Sequence, residues 1–210
     1  MTLVEPGEAL PTEETDERLM ERFRRGDAAA FEALMRRHRG AVHGFLVRCL
    51  GDRARAEDLT QEAWLRVIAA APRWEERARF RTWLFTVARN LAADDARRRA
   101  FRGTTVPLEG PGAPVGEAVP AADDPPPDAV AEGALLRPRL EAAIASLPPE
   151  QREVFLLREY ADVPFSEIAT ITGAPEPTVK SRMRYALEQL RRRLEEMGVA
   201  PAADAPGRSR

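Results

Sequence analysis

Apolar residues recur along this chain at spacings of three and four, which is the period of an α-helix. No stretch alternates apolar and polar residues in the manner of a half-buried β-strand, so the pattern predicts an all-α fold. Residues that favour helix starts precede the apolar stretches, and glycine or proline comes after them. In the first half of the chain these signals predict four helices: from Thr15 to Gly26, from Asp27 to Gly51, from Asp52 to Pro72, and from Phe80 to about Arg102.

The helical pattern resumes in the second half of the chain after a segment that cannot bury a core. Residues 103–133 are rich in Pro, Gly and Ala and contain no Lys or Arg, which predicts an extended, mobile linker. Beyond residue 133, prolines and a glycine separate the helical patterns from one another. The predicted helices are one from Leu135 to Leu147 with Pro138 in its first turn, one that begins at Pro149, a short one capped by Ser166 and ended by Gly173, and a last one from about Pro177 to Met197.

These elements predict two small helical domains, which we call the first lobe and the second lobe. The first lobe, residues 16–102, is expected to be a compact four-helix unit, and the second lobe comprises residues 134–197. The linker, residues 103–133, joins them. Residues 1–15 and 198–210 are predicted to be a disordered leader and a disordered tail.

Charged residues are distributed unevenly over these segments, although the net charge of the chain is only −2. The first lobe carries 20 basic and 13 acidic residues, whereas the linker carries six acidic residues and no basic one. The second lobe is balanced, with ten of each. Such segregation indicates partners of opposite sign. For the linker two interpretations stay open: a passive tether, or an acidic strap that lies in a positive channel meant for nucleic acid.

Several classes of protein are disfavoured by the composition. Cys49 is the single cysteine and cannot form an internal disulfide, and no apolar run suits a signal peptide or a membrane span. We therefore expect a soluble cytoplasmic protein. His38 and His43 make no zinc-ligand spacing with Cys49, so both are expected to be partly exposed helix residues. Phosphate loops and nucleophile elbows are missing as well, and we expect no enzyme activity, metal or cofactor.

Cations alternate with aromatic rings in the segment after the third predicted helix. Such a surface suits unpaired DNA, because arginines neutralise phosphates while flat rings stack on bases. The plainer alternative is a solvated arginine face over a packed core, since most apolar residues from Phe80 to Leu91 fall on one helix face. The candidate DNA-contacting residues are Arg73, Trp74, Arg77, Arg79, Arg81, Arg89 and Asn90.

Near the end of the chain a short helix, a glycine turn and a longer helix lie one after another. On the longer helix Lys180 and Arg184 cluster beside the apolar face, with Ser181 next to them. This order is typical of a helix-turn-helix, whose second helix enters the major groove of duplex DNA. The pattern alone leaves open the alternative of an ordinary αα-hairpin with a basic face.

Four short stretches together resemble one family. They are Arg22-Phe-Arg-Arg-Gly-Asp-Ala-Ala-Ala-Phe-Glu32, Glu57-Asp-Leu-Thr-Gln-Glu-Ala-Trp64, Phe80-Arg-Thr-Trp-Leu-Phe-Thr-Val-Ala-Arg-Asn90, and Ser166-Glu-Ile-Ala with Thr178-Val-Lys-Ser-Arg182 after it. Their order makes the chain similar to the extracytoplasmic-function class of bacterial RNA polymerase sigma factors, the small type with only the second and fourth sigma regions. The resemblance implies sigma region 2 in the first lobe and sigma region 4 in the second.

The resemblance implies partners and roles for the candidate residues. Asp58, Gln61 and Glu62 match the family's contact with the basic clamp helices of the largest polymerase subunit, and region 4 would meet the polymerase flap. The loop from Arg73 to Arg79 matches the segment that receives a flipped base, and Asn90 matches a position that reads the minus-ten element. Promoter DNA is thus implied both as a duplex and as separated strands. The positions that match the minus-thirty-five contacts are Lys180, Ser181, Arg182, Arg184 and Tyr185, with Arg182 suited to a phosphate or to bracing the fold.

Two residues depart from the family pattern. Pro177 stands where many relatives have glycine, and Tyr185 where arginine is common.

The family further implies control by an anti-sigma protein. Two other classes of protein remain as hypotheses. One alternative hypothesis is a helix-turn-helix regulator that binds duplex DNA without polymerase, against which the acidic motif of the first lobe argues. The other is an adaptor that binds only protein.

Overall fold

The computed structural model describes residues 14–76, 78–102 and 127–199. Within these ranges every regular element is helical, which confirms the predicted all-α fold. Among the described helices, none combines the length and the hydrophobicity that a membrane-spanning segment needs. The elements are α1 (Asp16–Arg24), α2 (Ala28–Leu50), α3 (Arg53–Ala70), a short 3-10 turn (Ala71–Arg73), α4 (Phe80–Arg102), α5 (Pro127–Ala145), α6 (Pro149–Glu159), α7 (Phe165–Thr172) and α8 (Glu176–Glu196).

Short polar side chains start the first three helices, as the sequence predicts. Thr15 accepts a hydrogen bond from the Arg18 amide, and Asp27 accepts bonds from the first amides of α2. Asp52 does the same for α3. These bonds satisfy amide groups that have no acceptor within the helix. Gly51 ends α2 in the left-handed conformation, with φ of 67°, which glycine adopts without steric cost.

Two helix starts in the second half differ from the prediction. Helix α5 begins at Pro127, earlier than the expected Leu135, and continues through Pro138. A proline removes one backbone hydrogen bond, and here that loss does not end a helix whose later residues Ala143 and Ile144 are buried in the core.

Residues 1–13, 103–126 and 200–210, which include most of the predicted leader, linker and tail, lie outside the described residues.

The start of α7 also differs from the prediction, which made Ser166 the cap. The capping position is Pro164, whose carbonyl oxygen accepts hydrogen bonds from the amides of Glu167 and Ile168. Ser166 therefore lies inside the first turn. Gly173 then makes the predicted turn with φ of 69°, and α8 begins with Pro177 in its first turn, where a missing N–H costs nothing.

His38 is buried, which contradicts the expectation of a partly exposed histidine. Its side chain is 1% exposed, its Nε2 atom lies 2.6 Å from Asp16, and its ring packs near Phe80. Asp16 of α1 and Phe80 at the start of α4 thus cover a side chain that the sequence analysis expected to be partly exposed. His43 keeps partial exposure, as predicted.

The hydrophobic cores of the two lobes join into one. Helices α1 to α4 enclose large side chains such as Phe45, Phe80 and Phe85, while α6 to α8 enclose Leu156, Leu157 and Val179. Across the junction α4 packs on α7, and α2 packs on α6 and α5. The second lobe therefore lies directly against the first, over the side of α4 that carries several candidate DNA-contacting residues.

Candidate nucleic-acid interface

The outer face of α3 combines polar candidates with exposed apolar residues. Asp58, Gln61 and Glu62 are exposed, as a protein-contacting face requires. Leu65 is 64% exposed and Ile68 44% exposed, although both side chains are apolar. Their spacing in the sequence indicates this exposure, because Leu65 and Ile68 lie four and seven positions after Gln61 and therefore on the same helix face. The face is therefore acidic at one end and apolar at the other.

A cavity lies between the end of α3 and the start of α4. Its volume is about 510 Å³, and Arg73, Trp74, Glu75 and Trp83 are among its lining residues. Trp74 is only 9% exposed, because its ring meets the ring of Trp83 edge to face at 5.2 Å and that of Phe80 at 5.8 Å. Trp74 thus serves as a wall of the cavity and not as a freely projecting ring. Arg77 lies outside the described residues.

Candidate residues immediately before α4 and along it form ion pairs with the second lobe. Arg79 lies 3.3 Å from Glu167, Arg89 lies 2.8 Å from Glu153, and Arg81 lies 3.6 Å from Asp162. These contacts leave Asn90 as the exposed candidate on this helix.

Thr82 is a polar residue of α4 that is only 4% exposed, because the second lobe covers it. Its hydroxyl donates a hydrogen bond to the Glu167 carboxylate. No feature of the sequence signals these contacts, because each joins residues far apart in the chain.

The helix-turn-helix presents a different, open surface. Lys180, Ser181, Arg184 and Tyr185 are exposed on α8, and the Arg184 guanidinium lies 4.9 Å from the Tyr185 ring. Arg182 is partly buried and donates a hydrogen bond of 2.8 Å to Glu150, which favours a bracing role over a free contact to phosphate. Beneath this surface the buried residues Val179, Met183, Ala186 and Leu190 fix α8 on the core.

Within the parts of the chain that the structure describes, no group of three or more His, Cys, Asp or Glu side chains could hold a metal ion. Burial raises the pKa of the Cys49 thiol to about 12, so this thiol stays uncharged near neutral pH while it is buried. The arrangement is suited to binding, with separate acidic and cationic faces.

Two family profiles match the chain. The family described as Sigma-70 region 2 matches residues 34–102, and the family described as Sigma-70, region 4 matches residues 137–190. The first match covers α3 and α4, and the second covers the helix-turn-helix. The segments that carry the candidate faces are therefore those with family counterparts.

Two relatives align with this chain over most of its length and over nearly all of their own. The chain is 38% identical to the ECF RNA polymerase sigma factor SigL of Mycobacterium tuberculosis over 179 residues, which are 83% of this chain and 96% of that protein. It is 36% identical to the RNA polymerase sigma factor CarQ of Myxococcus xanthus over 183 residues, or 87% and 99% of the two chains. These similarities extend through both lobes.

Two solved structures share the fold. One is CnrH in complex with the cytosolic domain of CnrY, with a TM-score of 0.63, 20% identity, and coverage of 87% of this chain and 99% of that chain. The other is the sigma factor RpoE in complex with the anti-sigma factor NepR from Bartonella quintana, with a TM-score of 0.63, 23% identity, and coverage of 79% and 96%. At these identities the two likenesses support the fold alone.

Proposed function

The chain belongs to the extracytoplasmic-function class of the sigma-70 family of RNA polymerase sigma factors. From this membership we propose that it is an alternative sigma factor that joins core RNA polymerase, directs it to particular promoters and helps to separate the DNA strands of the minus-ten region. One observation carries the proposal: a single chain combines an acidic and apolar face on α3, an arginine face at α4 and a helix-turn-helix. The arginine face consists of Arg79, just before α4, and of Arg81 and Arg89.

The exposed face of α3 would bind the clamp helices of the largest polymerase subunit. Asp58, Gln61 and Glu62 would meet the basic surface of those helices, and charge complementarity would set the orientation of the complex. Leu65 and Ile68 would add apolar contact, since exposed apolar residues beside polar ones mark interaction surfaces. In the second lobe, region 4 would bind the polymerase flap.

The cavity and the arginine face would hold the separated minus-ten strand. Unstacking a base costs a few kcal/mol, and stacking together with phosphate contacts can offset that cost only when the strand is single. The cavity of about 510 Å³ falls in the size range of small-ligand sites, so it can receive a flipped base. Asn90 would read base edges, while Arg79, Arg81 and Arg89 would bind phosphates.

Helix α8 would read the minus-thirty-five element as duplex DNA. Lys180 and Arg184 are exposed near the start of the helix, which is the part of a recognition helix that enters the major groove. Tyr185 would contribute apolar contact in place of an arginine's phosphate contact. Arg182 would hold the fold through Glu150.

The chain would act as a specificity subunit and leave nucleotide joining to the polymerase. Control by an anti-sigma protein is the regulation that family membership implies. RpoE, which shares the fold, was solved in complex with the anti-sigma factor NepR. Such a partner would compete with the polymerase for the exposed faces of the two lobes. We expect the chain to act in the cytoplasm, on the chromosome, when it is part of the holoenzyme.

A reconstitution tests the proposal. Transcription starts are first mapped after brief overproduction of the chain, which identifies a dependent promoter. Purified chain, core polymerase and a template with that promoter are then combined, and transcripts are expected to begin at the mapped start only when the chain is added. Binding of the promoter duplex without any polymerase dependence would favour an ordinary helix-turn-helix regulator, and binding of neither DNA nor polymerase would contradict the proposal.

A further inference from the structure

Two neighbouring residues on the exposed face of α8 contact each other. The guanidinium carbon of Arg184 lies over the ring of Tyr185, 4.9 Å from the ring centre. Both side chains are exposed, and the buried residues Met183 and Ala186 on either side of them hold this part of α8 on the core. The contact therefore lies on the face that we assign to the minus-thirty-five element.

The two cations that precede Arg184 on this helix are paired with acids of the chain. The Nζ atom of Lys180 lies 2.7 Å from a carboxylate oxygen of Glu176, and a guanidinium nitrogen of Arg182 lies 2.8 Å from Glu150. Among the described residues, no carboxylate forms such a pair with Arg184. Arg184 can therefore reach a DNA base without first giving up an acidic partner.

A ring contact leaves the hydrogen-bond donors of a guanidinium available. The N–H groups of arginine lie in the plane of the guanidinium and form a rigid fork. The Tyr185 ring attracts the cation through its π face and offers no oxygen lone pair there, so Arg184 keeps its hydrogen-bonding capacity. Two N–H groups of such a fork are what the O6 and N7 atoms of guanine accept in the major groove.

The ring also limits the freedom of the Arg184 side chain. An exposed arginine samples many rotamers, and ordering it on binding costs free energy. A guanidinium that already lies over a neighbouring ring loses less freedom when it contacts a base. The ring contact should also strengthen when DNA excludes water from it, because cation–π attraction is larger between desolvated groups.

We propose that Tyr185 is a positioning residue for promoter recognition: its ring holds the Arg184 guanidinium in place, so that Arg184 reads the O6 and N7 atoms of a guanine in the minus-thirty-five element. Tyr185 stands where arginine is common in the family. A second arginine there would repel Arg184, whereas the ring supports it. The inference rests on the proposed role of α8 in reading duplex DNA.

The test uses holoenzyme assembled from the full chain and core polymerase, with the promoter identified from the mapped transcription starts. The base pairs of its minus-thirty-five element are changed one at a time, and competition binding gives the discrimination at each pair. Arg184→Ala should abolish discrimination at one G·C pair, which identifies the pair that Arg184 reads. A guanine analogue without the N7 nitrogen should weaken wild-type binding at the same pair, because it removes one of the two acceptors.

Substitutions of Tyr185 separate its ring face from its apolar bulk. Tyr185→Leu keeps apolar volume but removes the π face, so it should reduce discrimination at the pair read by Arg184 roughly three- to tenfold and leave the other pairs unchanged. Tyr185→Phe keeps the face and loses only the hydroxyl, so it should retain the wild-type discrimination. Leu187→Ala, at a position of α8 that is 48% exposed, is the matched control and should change none of these ratios. Thermal melting shows whether each variant is folded.

A double-variant cycle shows whether Tyr185 acts through Arg184. In that case Tyr185→Leu should have no further effect on discrimination at this pair once Arg184 is replaced by alanine. An undiminished effect of Tyr185→Leu in the Arg184→Ala background would mean that Tyr185 contacts the base pair itself, and would overturn the positioning role. Equal losses for Tyr185→Phe and Tyr185→Leu would overturn it as well, because the ring face would then not matter.

The failure of this inference differs from the failure of the proposed function. Discrimination that is lost with Arg184→Ala but kept with Tyr185→Leu would overturn the positioning role alone. Discrimination that survives Arg184→Ala at every pair would overturn the reading of guanine by Arg184 as well, while transcripts from the mapped start would still support a sigma factor. A chain that neither joins core polymerase nor directs those transcripts would contradict the proposed function itself.

Discussion

At the scale of single residues, burial decides what a polar side chain does. Asp16 binds two partners from α2: Arg37 at 2.5 Å and His38 at 2.6 Å. Burial opposes ionisation of the Asp16 carboxyl, but hydrogen bonds from His38 and Arg37 outweigh it and hold the pKa below its ordinary value of 3.8. A first-turn acid that sequence patterns assign to the helix dipole is therefore also the link between α1 and α2.

Asp16→Asn is expected to lower the free energy of unfolding near pH 7 by about 2 kcal/mol, because it removes charged hydrogen bonds that are partly buried. Since the folded pKa is depressed, this stabilisation is fully present above pH 3.8 and is lost as pH falls through the lowered pKa. Urea titrations near pH 7 and at about pH 3 measure the difference, which should shrink at the acidic pH.

The exposed ion pair of Asp94 with Arg97 provides the control for that experiment. Asp94→Asn is expected to change stability little at either pH, because exposed pairs contribute little. An equal loss for Asp16→Asn at both pH values would show that the carboxylate charge is not the source of the stabilisation.

A second prediction about single residues concerns the exposed cations of α8. Lys180→Ala with Arg184→Ala should reduce the preference for promoter over random duplex roughly tenfold or more, because each base contact is worth about 1–3 kcal/mol. Polymerase binding should stay intact. Competition binding with the two duplexes measures the preference, and Arg192→Ala with Arg193→Ala, near the end of the same helix, is the matched control. Equal loss in both double variants would refute base reading at these positions.

At the scale of elements, α3 has two faces with different tasks. Leu59, Ala63 and Val67 are buried against the first-lobe core, and the opposite face exposes Gln61 and Leu65. Substitutions on the exposed face of α3 should therefore leave the fold intact. This division makes α3 the element in which binding and stability are most easily separated.

Gln61→Ala with Glu62→Ala is expected to weaken binding to core polymerase by about tenfold. Adding Leu65→Ser should weaken the binding by about another tenfold. The thermal midpoint should move little, since all three side chains are exposed. Titration of labelled chain with core polymerase measures the affinity. Thr170→Ala, on an exposed position of α7, serves as the control, and unchanged affinity in the α3 variants would remove this face from the interface.

At the scale of the whole molecule, two lobes that the sequence separates share one continuous core. Ion pairs from Arg48, Arg79 and Arg89 surround that junction. Since several of these pairs are partly exposed, salt screens them, whereas it does not weaken apolar burial. The contact between the two lobes should therefore weaken as ionic strength rises.

Cys49 lines a cavity between the lobes, together with Arg152 and Glu153 of the second lobe. Raising sodium chloride from about 0.05 M to about 0.5 M is expected to speed alkylation of Cys49 several-fold. The Debye length shrinks to a few ångströms, so the ion pairs weaken and the lobes separate more often, which exposes the thiol. The rate for the urea-unfolded chain at each salt concentration corrects for changes in the reagent. A corrected rate that does not change with salt would mean that apolar packing alone holds the lobes together.

The sequence by itself determined the local features of this protein. Helix period, together with caps such as Asp27 and Asp52 and the turn at Gly173, predicted nearly every helix, because these signals act over a few neighbouring residues. The motifs likewise identified the family. The start of α5 and the cap of α7 were missed where prolines permit more than one start.

Only the tertiary structure decided which predicted surfaces are free. Thr82 and Arg89 have the sequence pattern of an outer face, yet Glu167 and Glu153 cover them. Trp74 has the pattern of a stacking ring, yet it is enclosed by Trp83 and Phe80. The physical reason is that ion pairs and ring contacts between distant segments depend on how helices are placed in space, and no local periodicity records that placement.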